Sequence, residues 1–265
     1  MGEKARDYSI AVVMRTLDIL EALAEAKRPL GPTELARRVG TTPSAAFRIL
    51  KTLEERGYVT RDTISGQYRL GTRLAYLGER STGAIDLRHV ARPVLEELHR
   101  RFRETVNLAV LDNDHIVYID MIESDHGLRM AARVGARDHP HSTSLGKAIL
   151  AYLPEPELER YLQRPLPRRT PHTITDPSAL RAELERVRAS GVAEDHEENE
   201  EGACCFGAPV FDHQGRVVAA ISISGPAVRL SGPRGDEMRE AVKDASLAVT
   251  RAIGGRVPEL EPVEG

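Results

Sequence analysis

Apolar residues between Ile10 and Ala26 recur at three- and four-residue steps: Val12/Val13, Leu17, Leu20 and Leu23/Ala24. That period predicts a helix with one face in a core. The stretch KRPLGP breaks it. PTELARRVG predicts a short second helix, with Pro32 in its first turn and Gly40 at its end. Thr42 and Pro43 then read as N-cap and first residue of a third helix running to about Arg56, where Gly57 stops it. Ala46, Ile49, Leu50 and Leu53 make its apolar face, and Ser44, Arg48, Lys51 and Glu55 the opposite, polar one. Tyr58–Thr60 and Gln67–Leu70 are β-prone pieces around DTISG, a turn with Gly66. The order helix, helix, turn, helix, hairpin predicts a winged helix-turn-helix.

Beyond it, residues 72–83 predict a short linking helix and 86–104 a longer one. Strand patterns follow at 105–112, 115–123 and 128–134, and helices at 146–153, 155–163 and 177–190, the last capped by Asp176. Residues 204–212 and 217–225 read as two strands joined by an HQG turn, and 233–253 as a final helix. Meandering strands with helices between them predict an α+β sensor domain. The expected division is a DNA-binding domain at 1–71, a linker helix at 72–84, the sensor domain at 85–254 and a loose tail at 255–265.

A length of 265 residues allows two ordinary domains. With 4% aromatic residues and no Trp, the cores must be aliphatic. The apolar runs fall far short of the roughly 20 residues that span a bilayer, and the N-terminus lacks the pattern of a secretion signal. Adjacent Cys204 and Cys205 do not make a disulfide framework. These features place the protein in the cytoplasm, away from membranes. A net charge of −3 argues against a polyanionic partner, but the charge is uneven. Residues 1–84 carry 14 Lys+Arg against 10 Asp+Glu, and residues 85–265 carry 23 against 30. Such a basic front is what a chain needs if only that part meets double-stranded DNA.

Within that front, Ser44 and Ala45 are slim enough for a helix to enter the major groove. Arg48 can reach a guanine edge with two donors. Lys51, a turn deeper, suits a phosphate. Thr33 and Thr42 stand at helix starts, where hydroxyls and free amides suit phosphates. Arg69 on the wing could reach the backbone or the minor groove. The alternative is a small helical module that docks another protein through a solvated basic face.

Four segments together carry a resemblance: RTLDILEALAEAKRPLGPTELARRVGTTPSAAFRILKTLEERGYV, ARPVLEELHRRFRETVNLAVLD, TSLGKAILAYLPE and CCFGAPVFDHQGRVVAAISISGPAVRL. In their order the chain resembles the IclR family of bacterial transcriptional regulators over about residues 10–254. The resemblance implies a GAF-like effector-binding C-terminal domain. It further implies homodimers or tetramers on palindromic operators, with repression the commoner role.

Ser222 and Ser224 lie two apart on a strand, so their hydroxyls share a side, and a carboxylate could accept from both. From pattern alone they could equally form a wet face. The resemblance makes them effector contacts. It does the same for Cys205, otherwise a core thiol, and for Asp195, otherwise part of a solvated acidic run. STSLGKA matches the loop that holds the effector carboxylate, here Ser144, Leu145 and Gly146. Met130 and Leu128 are expected to line the apolar side. No cofactor is expected beyond a small carboxylate effector. Zinc is the alternative, since His139, His141, Asp195, His196 and Cys205 are suitable donor types, but no pair has a tight ligand spacing such as CxxC. An enzyme built on Cys205 would need a base and an orienting group. No local signature supplies them, so the chain reads as a regulator and not an enzyme.

Overall fold

The computed structural model describes residues 9–26, 28–82, 87–130 and 133–258. The chain divides into two compact units, Met1–Ala84 and Ile85–Gly265.

The first unit runs α1 (Ala11–Ala26), α2 (Pro32–Arg38), α3 (Pro43–Glu55), β1 (Val59–Arg61), β2 (Tyr68–Leu70) and α4 (Thr72–Thr82). The stripe read from α3 is its buried face: Ala46, Ile49, Leu50 and Leu53 pack with Ile19, Leu23, Leu30, Leu35, Val59 and Tyr68. Thr42 caps α3, its Oγ1 accepting from the Ala45 amide at 3.2 Å. Thr42→Ala is expected to cost about 1 kcal/mol, read as a lower midpoint in urea unfolding. In the hairpin, Asp62 Oδ1 accepts from the amides of Ile64 and Ser65 at 2.9 and 2.7 Å. Gly66 takes the positive φ of +70° that closes the turn. The register pairs Thr60 with Arg69, and both point outward.

The second unit begins with α5 (Leu87–Phe102) and builds one antiparallel sheet in the order β5-β4-β3-β8-β7-β6. Its strands are β3 (Thr105–Asp112), β4 (His115–Ile122), β5 (Arg137–Asp138), β6 (Ala193–His196), β7 (Ala203–Phe211) and β8 (Val217–Pro226). α6 (Ser144–Leu150), α7 (Glu155–Leu162) and α8 (Pro177–Ser190) follow β5, and α9 (Gly232–Ala252) closes the unit. Strand alternation sorts two cores. Val106, Leu108, Phe206, Ile221 and Ile223 pack with α5 and α9. Ala109, Tyr118 and Ala220 pack with α6, α7 and α8. α6 lies close on the sheet because Gly207 has no side chain: a Cβ there would come 2.8 Å from the Ser144 carbonyl.

Two segments depart from the sequence reading. Residues 128–134 do not form a strand where they are described, and residues 131–132 lie outside the described set. The edge strand is β5 instead, with Gly135 and Ala136 turned onto Tyr118 by backbone bonds of 2.8 and 3.2 Å. Arg229 holds the Leu128 carbonyl at 2.9 Å, which takes that carbonyl out of any ladder. Residues 193–196, within the acidic run, form strand β6, paired with β7 from Ala193↔Gly207 to His196↔Cys204. The alternation was hidden because an aspartate, Asp195, is one of the inward residues. The tail beyond 258 lies outside the described residues.

Candidate functional site

The polar side of α3 faces outward, with Lys51 partly covered. Ser44 and Arg48 are exposed and Ala45 is partly so. The Arg48 guanidinium makes no ion pair among the described residues, whereas Lys51 Nζ is held by Glu54 at 2.9 Å. Arg48 is therefore the freer of the two cations. Phe47, 43% exposed on the same helix, was not singled out from sequence. An exposed phenyl here suits a thymine methyl. Thr33 stands exposed in the first turn of α2, and Arg69 is exposed on β2. The slim start of α3, the free Arg48 and the hairpin have the form of a groove-reading winged helix.

The second unit holds a cavity of about 70 Å3. Met130, Ser144, Leu145, Asp195, Cys205, Ser222 and Ser224 all line it. The sheet register brings them together: Asp195 is opposite Cys205, and Cys205 opposite Ser224. Ser222 and Ser224 share the side expected of them, because Asn107 Nδ2 donates to both hydroxyl oxygens at 3.1 and 3.0 Å. Sequence reasoning missed Asn107, and also Thr105, Tyr118, Asp138 and Asn199 on the same wall. None carries a local motif. Leu128 and Gly146, also expected there, are not among its lining residues. Leu128 is 70% exposed and does not line the cavity. The Gly146 amide donates to Thr143 Oγ1 at 3.0 Å, the cap of α6. Its residue type is set by packing, since a Cβ would lie 2.2 Å from Pro140. Ser144 and Leu145 remain at the helix start.

Behind the cavity, Lys147 is fully buried and held by Glu198, with Glu183 at 3.6 Å. The Glu198 amide donates to Asp195 Oδ1 at 2.8 Å, so the ion pair also orients the cavity aspartate. Burial raises the Asp195 carboxyl to about 7, against two backbone amides that lower it. An aspartate that holds its proton near neutrality can stand beside an anionic ligand. The ordinary carboxyl titrates near 4, so the folded state binds the extra proton between about pH 4 and 7. The stability this proton contributes is complete below pH 4 and lost as pH rises through 7. Asp195→Asn is thus expected to gain stability relative to wild type as pH goes from 4.5 to 8, measured by urea unfolding at each pH.

The candidate zinc donors are dispersed. His141 is buried between the Tyr161 hydroxyl at 3.3 Å and the Pro167 carbonyl at 3.1 Å. His196 points away from Asp195 and Cys205, toward Cys204 at 3.6 Å and Glu194 at 2.5 Å. Those two contacts, Cys204 first, raise its pKa to about 10. Among the described residues no group of three His, Cys, Asp or Glu side chains could hold a metal ion.

A helix-turn-helix unit followed in the chain by an α+β unit with a partly polar cavity is the organisation of a two-unit DNA-binding protein. Comparison with known proteins makes the class specific. The IclR helix-turn-helix domain family matches residues 12–63, and the family of the bacterial transcriptional regulator IclR C-terminal domain matches residues 79–251. The chain belongs to the IclR family of bacterial transcriptional regulators. It is 39% identical over 247 residues to the HTH-type transcriptional regulator KdgR of Escherichia coli (strain K12), covering 93% of this chain and 94% of that one. Its fold is similar to the crystal structure of an IclR transcriptional regulator from Silicibacter sp. TM1040, with a TM-score of 0.85 and 27% identity. That match covers 94% of this chain and 98% of the other. An IclR homologue from Microbacterium hydrocarbonoxydans, crystallised with 4-hydroxybenzoate, is 28% identical with a TM-score of 0.59, covering 91% of this chain and 98% of that one. These relatives are regulators or homologues of regulators, not enzymes. No helix among the described residues is long and apolar enough to cross a membrane.

Proposed function

We propose that the chain is an operator-binding repressor whose DNA affinity is set by a small organic acid held in the C-terminal cavity. The observation that carries this reading is the cavity wall, where the hydroxyls of Ser222 and Ser224 are brought side by side by one asparagine. Two adjacent hydroxyl donors suit the two oxygens of a carboxylate. A relative crystallised with 4-hydroxybenzoate supports a carboxylate as ligand. On the DNA side, Thr33, Thr42, Ser44, Ala45, Arg48, Lys51 and Arg69 form the contact face. Arg48 reads bases and the others chiefly hold the backbone, Lys51 once it leaves Glu54.

The working form is a homodimer or tetramer on a palindromic operator, so that two winged helices meet two half-sites at a fixed spacing. Val13, Met14 and Leu17 stay exposed on α1 and suit a second copy. The chain works in the cytoplasm, where its operator lies. The effector prefers one subunit arrangement, and the stretch that joins the two units, with α4 before it and α5 after it, passes that preference to the winged helices. The ligand shifts DNA affinity only by its differential affinity for the two arrangements.

Changing Ser222→Ala together with Ser224→Ala is expected to leave DNA binding without ligand intact and to abolish release by acids. Gel shift with and without a panel of small acids checks it. An unchanged response to the acid that works on wild type would remove the cavity from the account.

A further inference from the structure

Phe47 sits within α3 with 43% of its surface exposed. Its ring is no part of the core of its unit, where Ala46, Ile49, Leu50 and Leu53 are the residues that α3 turns inward. Ser44, Phe47, Arg48 and Lys51 fall at i, i+3, i+4 and i+7, so they share the outward side of the helix. Phe47 and Arg48 flank the Ser44–Lys51 row, one on each edge. Among the outward residues of α3 from Phe47 to Glu55, Arg48, Lys51, Thr52, Glu54 and Glu55 are polar and Phe47 alone is apolar. A phenyl ring set in a polar helix face leaves apolar area in water, and covering that area is favourable.

What covers the ring follows from where it stands. The cleft between α1 and α3 is lined by Val12, Arg15 and Thr16 on one side and by Ala45, Ile49 and Thr52 on the other. α1 therefore runs along the Ala45–Thr52 edge of α3, and Phe47 lies on the opposite edge. The exposed Val13, Met14 and Leu17 of α1 belong to a different patch. That separation favours a DNA groove over a second copy as the cover for the phenyl. In the major groove the C5-methyl of thymine is the apolar group on the base edges. The slim Ser44 and Ala45, one turn before Phe47, let the helix approach closely enough for the ring to meet it.

We propose that Phe47 is a specificity residue that reads a thymine in the operator, its ring packed on the C5-methyl. This rests on α3 being the helix that enters the groove. Phe47 and Arg48 leave the helix on opposite sides of Ser44, so they reach neighbouring base pairs, a thymine for the ring and a guanine for the guanidinium. The pair fixes the order of those two bases in the site. The ring carries no charge and displaces no counterions, so its share of the selectivity does not vary with salt as a phosphate contact does.

Uracil scanning tests this. The full chain selects a duplex from a random pool, and each thymine of that duplex is replaced in turn by deoxyuridine. The exchange removes the methyl and keeps the pairing edge and the O4 acceptor. At one or more positions affinity is expected to fall about fourfold, the worth of one buried methyl group, and by the same factor at two salt concentrations. Phe47→Ala should bind the thymine and uracil duplexes equally at that position, whereas Arg48→Ala should keep the difference. Phe47→Gln provides a second variant should the first not fold. If no uracil matters while Arg48→Ala still loses selectivity, the role of Phe47 is overturned and α3 remains the reader. A uracil effect that persists in the Phe47 variants also overturns it. So does a loss of self-association in those variants by sedimentation, which assigns the ring to a second copy. Selection of no duplex overturns both readings.

Discussion

Replacing Glu198 with alanine is expected to lower the unfolding free energy of the C-terminal unit by about 3 kcal/mol. Lys147 has no exposed surface, and Glu198 is the carboxylate that holds its ammonium. Removing that carboxylate strands a cation in the core of α6 and the sheet. Glu183 stays 3.6 Å away, which keeps the expected loss at the low end of what an orphaned buried charge costs. Glu198→Gln should lose less, because an amide oxygen still accepts from the ammonium. The burial that makes this pair costly also raises the Glu198 carboxyl above its ordinary value. Urea unfolding of both variants gives the comparison, and a loss below about 1 kcal/mol in the alanine variant would show that Lys147 is not pinned as described. Cavity shape should suffer too, since Lys147 anchors the helix whose first turn presents Ser144 and Leu145.

Arg48→Ala is expected to weaken binding to the specific site by roughly 10- to 100-fold, the worth of one bidentate base contact. Binding to unrelated duplex should change only a few-fold, because phosphate contacts carry that part. The contrast with Lys51 sharpens the expectation. Lys51 already has Glu54 as partner, so Lys51→Ala should weaken both duplexes evenly and by less. Fluorescence anisotropy on the footprinted site and on a scrambled duplex, at two salt concentrations, separates these cases. Equal losses on both duplexes for Arg48→Ala would move Arg48 from base reading to backbone holding.

The winged helix was legible in the sequence almost residue by residue, because its signals are local. Thr42 and Pro43 start α3, Gly57 ends it, and the Ala46–Leu53 stripe needs no distant partner to be recognised. The pairing of Ser222 with Ser224 was legible for the same reason, as strand parity is a two-residue property. Asn107 was not. It is 115 residues from Ser222, and only the β3–β8 register sets the two side by side. Tyr118 and Asp138 reach the cavity the same way, through the pairing of β4 with its neighbours. β6 was hidden for a different reason. Its inward Asp195 is polar, and its outward Glu194 pairs with Arg239 at 2.6 Å, so no alternation of apolar and polar residues marks the strand. Residues 128–134 have the opposite history: their composition suits a strand, but a side chain from Arg229 takes a carbonyl that a ladder would need.

The most direct test is a binding titration of the full chain on a duplex from its own upstream intergenic region. It is run at low and moderate salt, with and without small organic acids. The account predicts tight, salt-sensitive binding that exceeds binding to random duplex and is altered by at least one acid. Indifference to that fragment at low ionic strength would contradict it.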